Sequence, residues 1–258
     1  MSVSTLLPNV IRLAYDLRLF GVHANIERRS TEALAASQHP LEYLRLVLED
    51  EKLTRQESTE KRLNTRAKFR FQSTLEEWDH VYERGLSKVQ FREVASLNFF
   101  DHKENLILVG PTGNGKTHLA IALGKKFCSL GIEVHFYSVN LLFEECRAEK
   151  SAGRYLSFIR RIKQTPVIIL DDFGLRTYTH EEGTVLMDLL EERYQHGSVV
   201  VTSQVDPRGW KTLFADPVIA EAITDRLTKP SHQIIFDGPT YRDKLQSRIM
   251  VEKGAKTR

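Results

Sequence analysis

Residues 105–117 read NLILVGPTGNGKT, and this stretch decides the fold. Residues 105–110 form a short apolar run typical of a buried strand, and residues 118–127 continue with the spacing of a helix. Between them, residues 110–117 match the pattern G-x-x-x-x-G-K-[ST] at every position. A bare glycine-rich turn would not need a strand before it and a helix after it. The stretch therefore predicts a P-loop, the phosphate-binding connection of an α/β protein.

The residue types of this loop suit a polyphosphate. Gly110, Gly113 and Gly115 let the backbone approach an anion closely, so that successive N–H groups point toward it. Lys116 adds a point charge at the outer phosphates, and the helix that starts there adds its positive end. The hydroxyl of Thr117 is the expected Mg²⁺ ligand. We therefore predict a site for ATP and Mg²⁺ in which the nucleotide contacts are Gly110, Pro111, Thr112, Gly113, Asn114, Gly115, Lys116, Thr117 and His118.

Residues 167–174 read VIILDDFG and supply a second half for this site. A buried strand here delivers two carboxylates at its carboxyl end, where open α/β sheets bind ligands. Asp171 is expected to hold Mg²⁺, directly or through water. Asp172 is expected to orient and polarise the attacking water as a base. The alternative is a pair of solvated acids in the turn after a strand, but an intact P-loop beside them favours the functional interpretation.

Short apolar runs recur along the chain and alternate with helical patterns such as residues 184–194. They predict an α/β fold whose parallel sheet is covered by helices on both faces. Residues 134–138 insert a strand between the two motif strands, which is typical of P-loop enzymes that use ATP hydrolysis for mechanical work. Residues 202–204, TSQ, end the fourth strand, where a polar side chain reaches the γ-phosphate or its attacking water unless these residues only form a turn. The predicted strands are 105–110, 134–138, 166–170, 198–202 and 233–236.

Two regions precede the predicted ATPase domain, which spans residues 104–258. Residues 1–65 carry apolar residues at helical spacing, such as Leu6, Val10 and Leu13, and predict a small all-α domain that contacts a partner or DNA. Pro40 is expected in the first turn of one helix, and Gly21 is expected to separate two helices. Residues 66–103 predict a connector that packs on the core.

The composition excludes several classes of protein. Hydrophobic residues make up 41% and charged residues 28%, with a formal net charge of +3, which is ordinary for a soluble globular chain. No apolar stretch approaches about 18 residues, so no membrane span is predicted. Cys128 and Cys146 form neither a CxxC pair nor a zinc spacing. A disulfide framework is therefore not expected, and a reduced cytoplasmic compartment is.

Five stretches together resemble one family. They are ENLILVGPTGNGKTHLAIALG at 104–124, LDDFG at 170–174, VVVTSQ at 199–204, DPVIAEAITDRL at 216–227 and GPTYR at 238–242. They look like the IstB-like family, whose members are AAA+ ATPases that assist transposition and are relatives of the DnaC and DnaI helicase loaders. The resemblance covers nearly the whole chain, including the connector AKFRFQSTLEEWD at 67–79. It implies an AAA+ P-loop domain with a five-stranded parallel sheet in the order 5-1-4-3-2, plus a small N-terminal all-α domain.

The resemblance also implies roles that spacing alone leaves open. Gln204 falls at the sensor-1 position, where AAA+ proteins more often have Asn, and Arg242 resembles a sensor-2 arginine. Arg226 matches the arginine finger, which acts on the ATP of a neighbouring subunit and requires head-to-tail contacts. Spacing alone would instead favour a surface ion pair of Arg226 with Asp225 or Glu221. The predicted catalytic set is Asp172, Gln204, Arg226 and Arg242.

Basic residues cluster between 52 and 70 and again near the helix before the second motif strand. Such runs suit sequence-independent contact with phosphates, although a solvated helix face has the same composition. The resemblance implies duplex DNA and a transposase as partners of a head-to-tail homo-oligomer in the bacterial cytoplasm, assembled on ATP and released on hydrolysis. A loader of a replicative helicase is the alternative, and a small-molecule kinase is a third hypothesis. The candidate cations are Lys52, Arg55, Lys61, Arg62, Arg66, Lys68, Arg70, Lys150, Arg154, Arg160 and Arg161.

Overall fold

The computed structural model describes residues 3–241 apart from 83, 192, 194 and 195, with side chains from residue 6 onward. It divides the chain into two compact units, Met1–Arg62 and Leu63–Arg258. Among the described residues, none of the helices combines the length and the apolar composition that crossing a membrane requires. The predicted boundaries at 65 and 103 stay predictions.

The first unit is built from helices α1 (Val3–Asp16) and α2 (Phe20–Ala35) and from residues 40–62 of α3 (Pro40–Ala67). The prediction that Pro40 opens a helix is confirmed. The prediction that Gly21 separates two helices is wrong, because Gly21 lies in the first turn of α2. A Cβ atom at this position would lie 2.5 Å from the carbonyl oxygen of Asp50, so glycine is needed for the close approach of α2 to α3. The carboxylate of Glu51 accepts the N–H of Gly21 at 2.8 Å and caps α2.

The second unit contains a five-stranded, fully parallel sheet. Its strands lie in the spatial order β2-β3-β4-β1-β5, which is the predicted order 5-1-4-3-2 counted from the other edge. The prediction of the α/β fold and of its sheet order is therefore confirmed. The strands are β1 (Asn105–Val109), β2 (Val134–Ser138), β3 (Val167–Phe173), β4 (Ser198–Ser203) and β5 (Ser231–Ile235).

Both faces of this sheet are buried, which explains why its strands are continuously apolar. Alternate residues of β1 enter different cores: Ile107 and Val109 pack on one face, and Leu106 and Leu108 on the other. Helices α7 (Val139–Ser151), α8 (Tyr155–Gln164), α9 (His180–Glu191) and α10 (Pro217–Thr228) cover the first face. Helices α4 (Lys88–Ser96), α5 (Asn98–Asp101) and α6 (Lys116–Ser129) cover the second.

Strand β3 runs farther than the sequence predicts. It continues through both acidic residues to Phe173, with a register shift against β4 between Leu170 and Phe173. Within this irregularity Asp172 has a φ of +62°, a left-handed conformation that is uncommon for a residue other than glycine. The acids therefore belong to the strand itself and not to the turn after it.

Helix α9 begins at His180, four residues before the predicted start, because a capping box fixes its first turn. The N–H of Thr179 donates to Glu182 Oε2 at 3.1 Å, and the N–H of Glu182 donates to Thr179 Oγ1 at 3.3 Å. The buried Glu182 also accepts two 2.8 Å hydrogen bonds from the guanidinium of Arg176. This arrangement ties the loop that follows β3 to α9.

Glu182→Gln is expected to lower the free energy of unfolding by about 2–3 kcal/mol at pH 7. The Arg176 guanidinium lowers the pKa of Glu182 to about 2, so the ionised form stabilises the folded chain at pH values above its ordinary pKa. This contribution is lost as the pH falls toward 2, and less than about half of it should remain at pH 3. Urea unfolding at both pH values measures the difference. Glu181→Gln, which alters an exposed carboxylate paired with Lys150, is the matched control and should change little.

Candidate nucleotide-binding site

The loop between β1 and α6 takes a shape that requires glycine at two positions. Gly110 has a φ of +151°, and a Cβ atom there would overlap the carbonyl oxygen of Phe236. Gly115 has a φ of +92°, and a Cβ atom there would lie 2.7 Å from the guanidinium of Arg84. The loop is therefore closely backed by other parts of the chain, and its open side faces a pocket.

Lys116 is the first residue of α6 and lies on the inside of the loop. Its side chain is buried, and Nζ donates to the carbonyl oxygens of Gly110 and Pro111, each at 2.7 Å. The ammonium and the amino end of a 14-residue helix thus converge on the same loop. Both features attract a polyanion.

The acid pair of β3 meets the loop through Asp171. This carboxylate is fully buried, and its Oδ1 accepts from Thr117 Oγ1 at 2.7 Å and from Thr202 Oγ1 at 2.6 Å. Burial raises the pKa of Asp171, while the two hydroxyls and Arg70 act in the opposite direction. A buried carboxylate and a hydroxyl at contact distance are oxygen ligands of the kind that Mg²⁺ prefers. The residues present therefore fit a magnesium ion at Thr117 and Asp171.

Asp172 is held by the same hydroxyl that binds Asp171. Its backbone N–H donates to Thr202 Oγ1 at 3.0 Å, and this contact supports the left-handed backbone. The side chain is 30% exposed and lines the pocket, whereas that of Asp171 is not exposed. Backbone strain of this kind recurs at functional sites. The carboxylate of Asp172 is thus the member of the acid pair that is accessible from the pocket.

One pocket of about 590 Å³ is lined by the loop, by Asp172 and by the end of β4. Its size is in the range of small-molecule sites, which run from about 300 to 1,000 Å³. A cavity of about 690 Å³, lined by residues such as Lys103, Lys163 and Glu191, contains neither the glycine loop nor the acids. The smaller pocket is lined by Arg70, Phe71, Thr112, Gly113, Gly115, Lys116, Thr117, His118, Asp172, Thr202, Ser203 and Gln204.

Six of the nine predicted nucleotide contacts line this pocket, and three have other surroundings. Gly110 backs onto Phe236, and Pro111 is exposed. Asn114 is buried, and its side-chain amide donates to the carbonyl oxygen of Gly238 at 2.7 Å. Among the six lining residues, burial lowers the pKa of His118, so its ring forms a neutral wall of the pocket.

Gln204 follows the carboxyl end of β4, whereas Arg226 lies beside the amino end of β1. Gln204 is exposed and lines the pocket, and its sensor role stays a prediction. The carbonyl oxygen of Arg226 accepts from Asn105 Nδ2 at 2.9 Å, and Asn105 is the first residue of β1, whereas the P-loop follows the last. The length of β1 separates Asn105 from the start of the P-loop by about 13 Å. Arg226 therefore lies outside this pocket.

The surface pairs expected for Arg226 do not form. Its guanidinium contacts Glu191 at 3.4 Å, while Asp225 pairs with Lys229 and Glu221 pairs with Lys211. Its side chain is 28% exposed. Arg242 lies outside the described residues, so its predicted role stays a prediction.

The residue that the sequence placed elsewhere is Arg70. Predicted only as one of several basic candidates for DNA contact, it instead donates from NH1 to Asp171 Oδ2 at 3.0 Å and to Asp172 Oδ2 at 3.1 Å. A separation of 101 residues from Asp171 removes any local signal of this contact. Four other basic candidates form ion pairs elsewhere. The pairs are Arg66 with Glu133, Lys68 with Glu145, Lys150 with Glu181 and Arg154 with Glu149.

This combination of loop, acid pair and strand order defines a P-loop ATP-binding protein with the AAA+ fold. The fold is similar to that of the crystal structure of DnaI, with a TM-score of 0.56 and 21% identity over 64% of this chain and 91% of that one. It is also similar to DnaA from Aquifex aeolicus bound to AMPPCP, with a TM-score of 0.56 and 18% identity over 72% of this chain and 56% of that one.

The chain belongs to the family of IstB-like ATP-binding proteins, whose model matches residues 12–249. It is 34% identical over 227 residues to an insertion-sequence ATP-binding protein of Mycobacterium tuberculosis, covering 88% of this chain and 90% of that protein. It is 33% identical over 227 residues to the ATP-binding protein of insertion sequence IS21 from Pseudomonas aeruginosa, covering 88% and 85%. The family resemblance read from the sequence is confirmed.

Proposed function

We propose that this protein is an ATP-hydrolysing helper of transposition. ATP binding drives head-to-tail assembly on duplex DNA, the assembly recruits or regulates a transposase, and hydrolysis releases it. The observation that carries the proposal is that Lys116, Thr117 and Asp172 line one pocket, with the buried Asp171 hydrogen-bonded to Thr117 directly behind it. The names of the relatives, which are insertion-sequence ATP-binding proteins, support the role in transposition.

In this mechanism the chain does most of its work by positioning. Lys116 and the N–H groups of the loop hold the outer phosphates, and Thr117 and Asp171 would hold the metal. Mg²⁺, when bound, neutralises charge on the phosphate oxygens. Asp172 orients a water molecule toward the terminal phosphorus, and Gln204 faces the same pocket. Water adds to phosphorus as the bond to the ADP oxygen breaks, giving ADP and phosphate.

Asp172→Asn is expected to leave ATP affinity within about twofold and to lower turnover by about 10²- to 10³-fold, because an amide is a poor proton acceptor. Nucleotide affinity is measured with fluorescent ATP, and turnover by release of phosphate. The variant should also remain in the ATP-bound assembly on DNA, which a sizing column detects. Asp101→Asn, an exposed aspartate of α5, is the control and should behave as the wild type. Unchanged turnover in Asp172→Asn would refute the base role.

The trans-acting role of Arg226 is supported by its distance from the pocket of its own subunit. A guanidinium beside the amino end of β1 reaches a nucleotide only if subunits meet head to tail. Such heterologous contacts close into rings or continue as open helices. The size of the protein with a non-hydrolysable ATP analogue, with and without duplex DNA, tests the assembly. A monomer under every condition would remove it.

Loading of a replicative helicase is the second candidate, favoured by the likeness to the DnaI structure and to the crystal structure of the DnaC helicase loader. Binding to a purified transposase of the same insertion sequence, compared with binding to a hexameric helicase, separates the two candidates. Stimulation of ATP hydrolysis by duplex DNA, with free phosphate as the product, supports either. Transfer of the phosphoryl group to a small molecule would instead support a kinase.

A further inference from the structure

Arg70 is a cation held directly against the acid pair. A single nitrogen, NH1, lies 3.0 Å from Asp171 Oδ2 and 3.1 Å from Asp172 Oδ2. The arginine side chain is 49% exposed, whereas the side chain of Asp171 has no exposed surface. Arg70 therefore reaches into the site from solvent and is not part of the core.

The structure places Arg70 against the Oδ2 atoms of Asp171 and Asp172. Asp171 Oδ1 is occupied by the hydroxyls of Thr117 and Thr202, and Lys116 Nζ donates to two carbonyl oxygens of the loop. The second oxygen of Asp171 and that of Asp172 face the guanidinium. Two carboxylates in a poorly hydrated site repel each other, and a shared cation relieves that repulsion.

The backbone around Arg70 is anchored by packing, while its side chain is half exposed and held only at its tip. Phe69 packs edge-on against Phe136 of β2, with ring centroids 6.2 Å apart, and Phe71 lies beside His118 at 6.3 Å. Two residues farther on, the buried Ser73 is hydrogen-bonded to His118 Nδ1 at 3.0 Å. The two rings thus fix the backbone on either side of Arg70, and only the two carboxylates hold the end of its half-exposed side chain.

A magnesium ion and this guanidinium compete for the same oxygens. Mg²⁺ demands a near-octahedral shell of oxygen ligands at about 2.0–2.1 Å, much of it water, on the acid side of Thr117. A guanidinium within hydrogen-bond distance of both carboxylates fills part of that shell. Two cations within a few ångströms also repel strongly where water is scarce.

We propose that Arg70 is a tethered counter-ion of the Asp171–Asp172 pair that exchanges with magnesium and so sets the magnesium concentration at which the site loads nucleotide. The inference rests on the proposed binding of magnesium and ATP at this pocket. Before loading, Arg70 balances the acids; on loading, its half-exposed side chain leaves toward solvent and the metal takes over the same charge.

The test compares magnesium titrations of wild type and Arg70→Ala, with fluorescent ADP as the probe. Arg70→Ala should reach half-maximal binding at about fivefold lower magnesium, since a half-exposed ion pair no longer competes. In EDTA the same variant should bind the nucleotide more weakly, because the acids then face the phosphates without a cation. Arg70→Lys, which keeps the charge without the planar fork, should lie between the two.

A second arm uses magnesium without nucleotide. Arg70→Ala should melt at a lower temperature than the wild type in EDTA and gain more from added magnesium, because the metal restores the missing charge. Lys125→Ala is the control for both arms, since it removes another contact between the connector and α6, the 2.9 Å hydrogen bond to Gln72, without touching the acids.

Equal magnesium dependence in wild type and Arg70→Ala would overturn the inference. So would a loss of affinity for ATP but not for ADP at saturating magnesium, which would make Arg70 a ligand of the terminal phosphate. If the wild-type chain bound no nucleotide at all, the proposed function would fail, and the melting experiment with magnesium alone would still decide the role of Arg70.

Discussion

Lys116→Ala is expected to weaken ATP binding by at least about 10²-fold, because charge-assisted hydrogen bonds to phosphate oxygens are lost together. The ammonium is buried inside the loop and also holds the carbonyl groups of Gly110 and Pro111. Its removal therefore takes away both the charge that meets the nucleotide and a restraint on the loop. Titration with fluorescent ATP in the presence of Mg²⁺ measures the effect.

Two comparisons separate this loss from unfolding. Lys116→Met keeps most of the apolar stem and should lose affinity to a similar extent, while Lys125→Ala on the same helix should bind as the wild type does. Circular dichroism should show the same helical content in all of these variants. Wild-type affinity in Lys116→Ala would contradict the assignment of the phosphate site.

Arg226→Ala is expected to keep the wild-type affinity for ATP and to lower turnover by about 10³-fold or more, the range seen when an arginine acts on the transferring phosphoryl group. The affinity for ATP is unchanged because Arg226 lies beside the amino end of β1, away from the pocket of its own subunit. Turnover is lost because the neighbouring subunit's phosphate loses its stabilising charge. Phosphate release measured on the assembled protein, with DNA and saturating ATP, gives the result.

Mixing experiments make this prediction specific to a role between subunits. Equimolar Arg226→Ala and Asp172→Asn proteins, each nearly inactive alone and each able to bind ATP, should together recover about a quarter of wild-type turnover by random association in a head-to-tail assembly. Lys229→Ala, at the end of the same helix and paired with Asp225, should keep full activity. Normal turnover in Arg226→Ala alone, or no recovery in the mixture, would each contradict the trans-acting role.

The features that the sequence predicted correctly are those with local causes. The loop at 110–117, the strand before it and the helix after it are each specified by consecutive residues, and Pro40 opens α3 because its missing N–H costs nothing there. The sheet order came from the family resemblance. The position of Asp171 beside Thr117 followed from the rule that parallel strands present their carboxyl ends at one edge.

The features that the sequence did not reveal depend on distant contacts. Arg70 was grouped with other basic residues because nothing nearby in sequence marks its acidic partners. Gly21 resembled a helix break, although its role is to let α2 approach Asp50 of α3. The double role of Thr202 depends on the irregular end of β3, which the apolar pattern of that strand did not indicate.

Asn105 gives the sheet a mechanical property. Its buried side chain holds the carbonyl oxygens of Arg226 and Leu227 at 2.9 and 3.1 Å and accepts the N–H of Val199 at 2.9 Å. The end of α10 and the start of β4 are thereby hydrogen-bonded to the amino end of β1, and the carboxyl end of β1 leads into the P-loop. In an assembly of head-to-tail subunits, a displacement of Arg226 by the neighbouring subunit's nucleotide would be transmitted along β1 to the P-loop of its own subunit. The occupancy of one ATP site would then be mechanically coupled to the next along the assembly.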